Sequence, residues 1–187
     1  MKGRNGMETM DEKLRGIIIP AVTPFEEDGS ISYEKLGRNI EKWNKTGISG
    51  VMALGTNGEF KALDDDESFS VLRFVSERLS PEKCMIAGVG RESLRQTVSF
   101  IGRLYAKGVD VDYVSILTPN YFGKLMTDDA LVRFYEKAAD ESPYPVLLYC
   151  APSYANGVCI SVEAAQRLSH HPNIRGMKDT SSNMMEA

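Results

Sequence analysis

The sequence predicts an α/β protein of parallel strands: a (β/α)8 TIM barrel, with only about the first six βα units present in this chain. Three observations predict it. Short continuous apolar runs recur roughly every 30 residues, the length of one strand-plus-helix unit. Amphipathic helical stretches fill the intervals between them. Polar and aromatic residues collect just after the runs end, which is where a barrel assembles chemistry from several strand termini.

The candidate strands are Ile17-Ile18-Ile19, Gly50–Ala53, Met85–Gly88, Tyr113–Ile116, Val146–Tyr149 and Ile174–Met177. Apolar runs without alternation suit parallel strands covered on both faces. In the first helix Leu36, Ile40 and Trp43 share one face, with Trp43 expected in the core. In the second, Leu72, Val75 and Leu79 do so, behind an acidic capping box formed by Asp64 and Glu67. The run Asp64-Asp65-Asp66-Glu67 reads as stabilisation of a helix N-terminus rather than a cation site. The third helix, about Ser93 to Ala106, is expected to bury Leu94, Val98, Ile101 and Tyr105. The fourth opens at Thr127 and carries Leu131, Phe134, Tyr135 and Ala138, and the fifth opens at Ser161 and buries Val162, Ala165 and Leu168. Gly47 and Gly108 follow helices one and three, where a left-handed residue commonly ends a helix.

Strict alternation leaves two architectures, a doubly wound open sheet and a closed barrel. An open sheet usually carries a glycine-rich phosphate turn after its first strand. Here that turn is Thr23-Pro24-Phe25, and Gly88-Val89-Gly90-Arg91-Glu92-Ser93 is half a fingerprint at the third unit that reads as close backbone approach. The barrel is therefore preferred. A barrel needs about 250 residues, so the 187 residues are expected to be the N-terminal two thirds of a longer domain or a truncated product. Residues 1–14, polar and without an apolar signal-peptide core, are expected to be a disordered leader, with the barrel segment over 15–187.

At 42% hydrophobic residues the chain can bury a core, and its formal net charge of -4 argues against a nucleic-acid surface. No apolar run is long enough to span a membrane, and a cytoplasmic protein is expected. Cys84, Cys150 and Cys159 lack metal-ligand spacing, and the first two sit inside apolar runs as reduced packing residues. The adjacent His170-His171 reads as a structural pair, since helix metal ligands favour i, i+4 spacing.

The stretch that carries chemistry runs from Val146 to Ser182. One apolar strand ends on Tyr149 and the next on Lys178. An apolar surround destabilises an ammonium and favours the free amine that attacks a carbonyl. After strand two, Gly55-Thr56-Asn57-Gly58-Glu59-Phe60 offers two glycines for a tight turn whose N–H groups, with the Thr56 hydroxyl, can hold a carboxylate. After strand four, Thr118-Pro119-Asn120-Tyr121-Phe122-Gly123 brings aromatic rings. Each has an ordinary reading: a βα turn, packing aromatics, a solvated strand-end lysine. Their co-occurrence is what favours a site.

Taken together, Gly55-Thr56-Asn57-Gly58-Glu59, Thr118-Pro119-Asn120-Tyr121, Tyr149-x-x-Pro152 and Gly176-Met177-Lys178-Asp179 resemble the dihydrodipicolinate synthase / N-acetylneuraminate lyase family, from about Arg15 to Ala187. The resemblance implies a TIM-barrel lyase of class I aldolase type, a homodimer or homotetramer needing no metal or organic cofactor. It implies that Lys178 forms an imine with a 2-oxo acid such as pyruvate, and that Tyr149 relays protons. It implies that Thr56 and Asn57, in the turn opened by Gly55, hold the carboxylate, with Thr56 also in the relay. Tyr121 is the tyrosine that a partner subunit would insert into the neighbouring site. The resemblance implies an aldehyde as the second substrate.

The chain departs from the synthase pattern where an arginine usually follows the Tyr-x-x-Pro motif. Pro152-Ser153-Tyr154-Ala155-Asn156-Gly157 contains none, and Asn57 replaces a second threonine. With His171-Pro172-Asn173-Ile174 before the lysine strand, the motifs are most similar to the 4-hydroxy-2-oxoglutarate aldolase branch. Dihydrodipicolinate synthase proper and a truncated, catalytically impaired keto-acid binder remain as alternatives.

Overall fold

A computed structural model of the protein describes residues 12–182. Its strands are β1 (Ile18–Pro20), β2 (Gly50–Ala53), β3 (Cys84–Gly88), β4 (Tyr113–Leu117), β5 (Val146–Cys150) and β6 (Ile174–Asp179). Its helices are α1 (Tyr33–Asn44), α2 (Asp65–Ser76), α3 (Leu94–Ala106), α4 (Asp128–Glu141) and α5 (Val162–Leu168). The chain divides into two compact units, one running through Ala87 and including Val109–Asp112, the other holding Gly88–Gly108 and the chain from Tyr113 onward. Most of the expected leader lies outside the described residues; within them, Lys13 pairs with Asp112 at 2.6 Å.

In the first unit β1, β2 and β3 pair in parallel in chain order, with Ile18 opposite Gly50 and Gly50 opposite Cys84. Both β2 and β3 are buried along their length, as unbroken apolar runs require. Gly50 is where the backbones come closest: a Cβ there would stand 2.4 Å from the Cys84 carbonyl oxygen. Backbone cannot yield as a side-chain tip can, so Gly50→Ala is expected to destabilise the fold by about 2–3 kcal/mol. A thermal melt of the two forms checks this.

Helix α1 is capped by Ser32, whose hydroxyl accepts from Lys35 N, and it buries Leu36 and Ile40. Trp43 is half-buried rather than core, because it lies in the last turn. The acidic run before α2 forms the expected capping box: Asp64 accepts from the N–H groups of Asp66 and Glu67, and Glu67 accepts from Asp64 N at 2.9 Å.

In the second unit β4, β5 and β6 pair in parallel in chain order. Strands β4 and β5 are fully buried, and Tyr135 of α4 donates its hydroxyl to the Ile116 carbonyl at 3.0 Å, fixing that helix on β4. Ser161 caps α5 and also donates to Asp128 at 2.6 Å, while Arg167 pairs with Asp129 at 2.7 Å, so α5 is tied to the start of α4. The core side of α5 is Ala164 and Leu168, with Val162 exposed in the first turn rather than buried. Helix α3 is rotated from the expected face. It buries Thr97, Phe100, Ile101 and Leu104, and leaves Tyr105 outside, edge-on to Tyr144 at 5.9 Å. Burial of Thr97 is possible because its hydroxyl donates to the Ser93 carbonyl at 3.0 Å and accepts from Arg91 N. Gly108 takes the left-handed conformation (φ 68°) that ends α3, whereas Gly47 does not.

His171 and Asn173 hold the approach to β6. Asn173 Nδ2 donates its two hydrogens among the carbonyls of Ala139, Ser142 and Tyr144 at 2.9–3.1 Å, and its N–H donates to His171 Nδ1. His171 thus takes the structural place expected of it.

Candidate active site

The geometry of Tyr149 and Lys178 depends on one extra residue. Val146 stands opposite Ile174, but Leu147 stands opposite Gly176, so Arg175 is bulged out of the β5–β6 ladder. Without the bulge Tyr149 would face Met177. With it, Tyr149 faces Lys178, and in parallel neighbours directly opposed side chains share a face of the sheet. Gly176, with no side chain, lets the strand turn there. The Lys178 ammonium nitrogen consequently lies 4.1 Å from the centroid of the Tyr149 ring, inside cation–π range. Tyr149 itself is buried.

Strand β6 departs from the expectation of a buried strand. Ile174 is buried, Lys178 is half-buried, and Met177 is 40% exposed. The physical reason is that among the described residues β6 pairs only with β5. A second lysine, Lys83, is far more buried, but its ammonium donates to the carbonyls of Thr46 and Ile48 at 2.9 and 3.0 Å. It precedes β3, at the N-terminal end of a strand, where barrel residues serve stability. Lys178 stands near the C-terminal end of its strand.

Beside this pair, Thr118 follows β4 and its N–H donates to the Tyr149 carbonyl at 3.3 Å. Its hydroxyl is buried with no hydrogen-bond partner among the described residues. Such an orphan costs roughly 1–3 kcal/mol. Thr118→Val replaces it with an isosteric methyl, and is expected to raise the melting temperature by about 2–4 °C. A calorimetric scan checks the sign.

Tyr121 belongs to the same unit and points outward, 77% exposed, with Phe122 edge-on at 4.9 Å. Its loop is held by Glu92, whose Oε2 accepts from the N–H groups of both Asn120 and Tyr121 at 2.8 and 2.9 Å. Asn156 donates to the Asn120 carbonyl at 3.3 Å, and Gly123 leaves room for that amide, since a Cβ there would stand 2.8 Å from it. The segment that lacks an arginine therefore makes a 3-10 turn over Pro152–Tyr154, reverses through Asn156 and Gly157 with positive φ, and directs its amide to the Tyr121 loop. Neither Glu92 nor Asn156 was expected to have a role. They lie 28 and 36 residues from the backbone they bind, and no spacing signals such a contact.

Thr56 and Asn57 lie in the first unit, in a 3-10 turn over Thr56–Gly58 directly after β2. Thr56 is half-buried and Asn57 exposed. The tight turn forms, though its left-handed backbone does not fall on the glycines. The left-handed residues are Leu54 (φ 58°) and Glu59 (φ 54°), while Gly55 is extended. Gly58 is needed for room, because a Cβ there would sit 3.1 Å from the Ala21 carbonyl oxygen. Thr23 donates its buried hydroxyl to the Gly58 carbonyl at 2.7 Å, fixing the turn. The N–H groups of Gly58 and Glu59 close the turn on Gly55 and Thr56, so they are not the donors for a carboxylate.

Among the described residues no group of three or more His, Cys, Asp or Glu could hold a metal ion, and no helix is long and apolar enough to cross a membrane. Cys84 and Cys150 are buried, free thiols. Burial pushes the Cys84 thiol up to about 12, removing it from nucleophilic chemistry.

Parallel βα units in chain order define a barrel-type α/β protein. The model of the dihydrodipicolinate synthetase family matches residues 13–187, and the chain belongs to that family. It is 34% identical over 174 residues to 4-hydroxy-tetrahydrodipicolinate synthase of Geobacter metallireducens, covering 93% of this chain and 58% of that one. It is 31% identical over 172 residues to a probable mitochondrial 4-hydroxy-2-oxoglutarate aldolase of Emericella nidulans, covering 90% and 55%. The crystal structure of dihydrodipicolinate synthase from Acinetobacter baumannii, complexed with pyruvate, superposes with a TM-score of 0.84 at 29% identity, over 91% of this chain and 57% of that one. The fold is that of the TIM-barrel family, with about the first six βα units present, and the chain spans little more than half the length of these relatives.

Proposed function

We propose that the protein is a Schiff-base-forming lyase of class I aldolase type, joining pyruvate to an aldehyde or cleaving a 2-oxo acid to pyruvate and an aldehyde. The observation that carries this reading is the placement of the Lys178 amine over the Tyr149 ring at adjacent strand ends. The amine of Lys178 attacks C2 of the keto acid, and loss of water leaves an iminium. That cation accepts electron density, so C3 loses a proton to give an enamine, or the C3–C4 bond breaks in the retro-aldol direction. A phenol alone is a poor base near neutral pH; Tyr149 acts as one link in a proton relay. The family resemblance adds Thr56 as a further link and, with Asn57, as the holder of the carboxylate. It assigns Tyr121 to the site of a partner subunit in a dimer or tetramer, and the exposure of that ring supports the assignment.

The absence of an arginine in Pro152–Gly157, with Asn57 in place of a second threonine, favours the 4-hydroxy-2-oxoglutarate aldolase branch over lysine-biosynthetic synthase. Turnover assays with pyruvate plus aspartate semialdehyde and with 4-hydroxy-2-oxoglutarate test this. Efficient use of aspartate semialdehyde overturns the branch assignment. The alternative reading is a keto-acid binder that forms the imine without aldol turnover. An adduct with pyruvate but no product from either substrate supports that one.

A further inference from the structure

Cys150 ends β5, directly after Tyr149, and Cys159 lies beyond the Pro152–Tyr154 turn, just before the α5 cap. Their sulfurs stand 2.7 Å apart. A covalent sulfur–sulfur bond is about 2.05 Å long, so a small side-chain movement separates the two thiols from a bond. The pair is asymmetric. Cys150 is 1% exposed, whereas Cys159 is partly open to solvent.

We infer that Cys150 and Cys159 form a dithiol modification site that low-molecular-weight disulfides oxidise to an internal disulfide. The inference does not rest on the imine chemistry proposed above. Cys159, the accessible partner, attacks first as its thiolate. A bond forms from its Sγ to one sulfur of the reagent, the reagent's own sulfur–sulfur bond breaks, and the other half leaves as a thiolate. Burial, with the Cys159 hydrogen bond second, pushes the Cys150 thiol up to about 12, so it is not the first nucleophile. It does not need to be. Its sulfur already lies against Cys159 Sγ, so once its proton passes to the departed thiolate it displaces the second half of the reagent. Two protein thiols lose two electrons, and the reagent is reduced to two thiols. The bond closes the Ala151–Val158 segment onto the end of β5, whose Cys150 carbonyl accepts from both Thr180 N and Thr180 Oγ1 at 3.0 and 3.3 Å. Cys84 takes no part, being buried in the first unit.

The test is to incubate the full chain with oxidised glutathione, digest it without reduction and map the peptides by mass. The expected result is a Cys150–Cys159 cross-linked peptide lighter by two hydrogens, reversed by dithiothreitol, with Cys84 unmodified until the protein is denatured. In Cys150→Ser, Cys159 is expected to retain a stable glutathione adduct; in Cys159→Ser, Cys150 is expected to stay a free thiol. A wild-type protein that accumulates the glutathione adduct without the cross-link, or that shows neither, overturns the inference. So does a Cys159→Ser protein in which Cys150 carries glutathione.

Discussion

Replacing Lys178 with alanine is expected to lower covalent capture of pyruvate by at least about a thousandfold, with the fold retained. The expectation follows from where the amines of the chain are. Lys83, the most buried lysine, has its ammonium bonded to two backbone carbonyls beside the N-terminal end of β3. Lys178 is half-buried at the far end of β6, with its nitrogen over the Tyr149 ring. Lys178→Arg sharpens the test. A guanidinium keeps the charge and stacks on the same ring, but it does not lose its proton near neutral pH and cannot attack a carbonyl. Both variants are therefore expected to lose the adduct, and intact-mass measurement after borohydride reduction reads the result. Retention of capture by Lys178→Arg would place the reacting amine elsewhere.

Inserting an alanine between Gly176 and Met177 is expected to slow the same capture by about a hundredfold, the order of loss that a small misplacement of a reacting group produces. The bulge is the device that brings Lys178, and not Met177, opposite Tyr149. An added residue there sets Met177 opposite Tyr149 and sends the lysine to the other face of the sheet. The latch formed by Asn173 anchors the chain ahead of the insertion, so the slip is expected to move toward the C-terminal side rather than be absorbed in the loop. Single-turnover labelling compared with circular dichroism separates loss of placement from loss of fold. Unchanged labelling would show that the register does not position the amine.

Much of this arrangement is written in local patterns. The apolar runs marked all six strands, and in β2 to β5 the reason is that strands covered on both faces hold few polar positions. The capping box before α2 and the Ser and Thr caps of the other helices are contacts within three residues, and such contacts are legible in a single sequence. Tyr149 and Lys178 stood out because each ends an apolar run. What sequence did not show were features set by pairing across distance. The bulge at Arg175 changes which residue faces Tyr149, yet only the adjacent Gly176 hints at it. The buried face of α3 was misplaced because Thr97 counts as polar until its hydroxyl is seen to be satisfied, and because Tyr105 counts as apolar although its ring lies on the surface. The glycines of the Thr56 turn marked a tight turn, but not that its left-handed conformations fall on Leu54 and Glu59, nor that Gly58 lies close against the Ala21 carbonyl. Glu92 and the Cys150–Cys159 pair have no sequence signature.

The central claim is that Lys178 carries the covalent chemistry. Its most direct test is to incubate the wild-type chain with pyruvate, reduce with borohydride, digest and locate the added mass. One reduced pyruvate adduct is expected, on the peptide containing Lys178. A folded protein with no adduct, or with the adduct on Lys83 or another lysine, would contradict it.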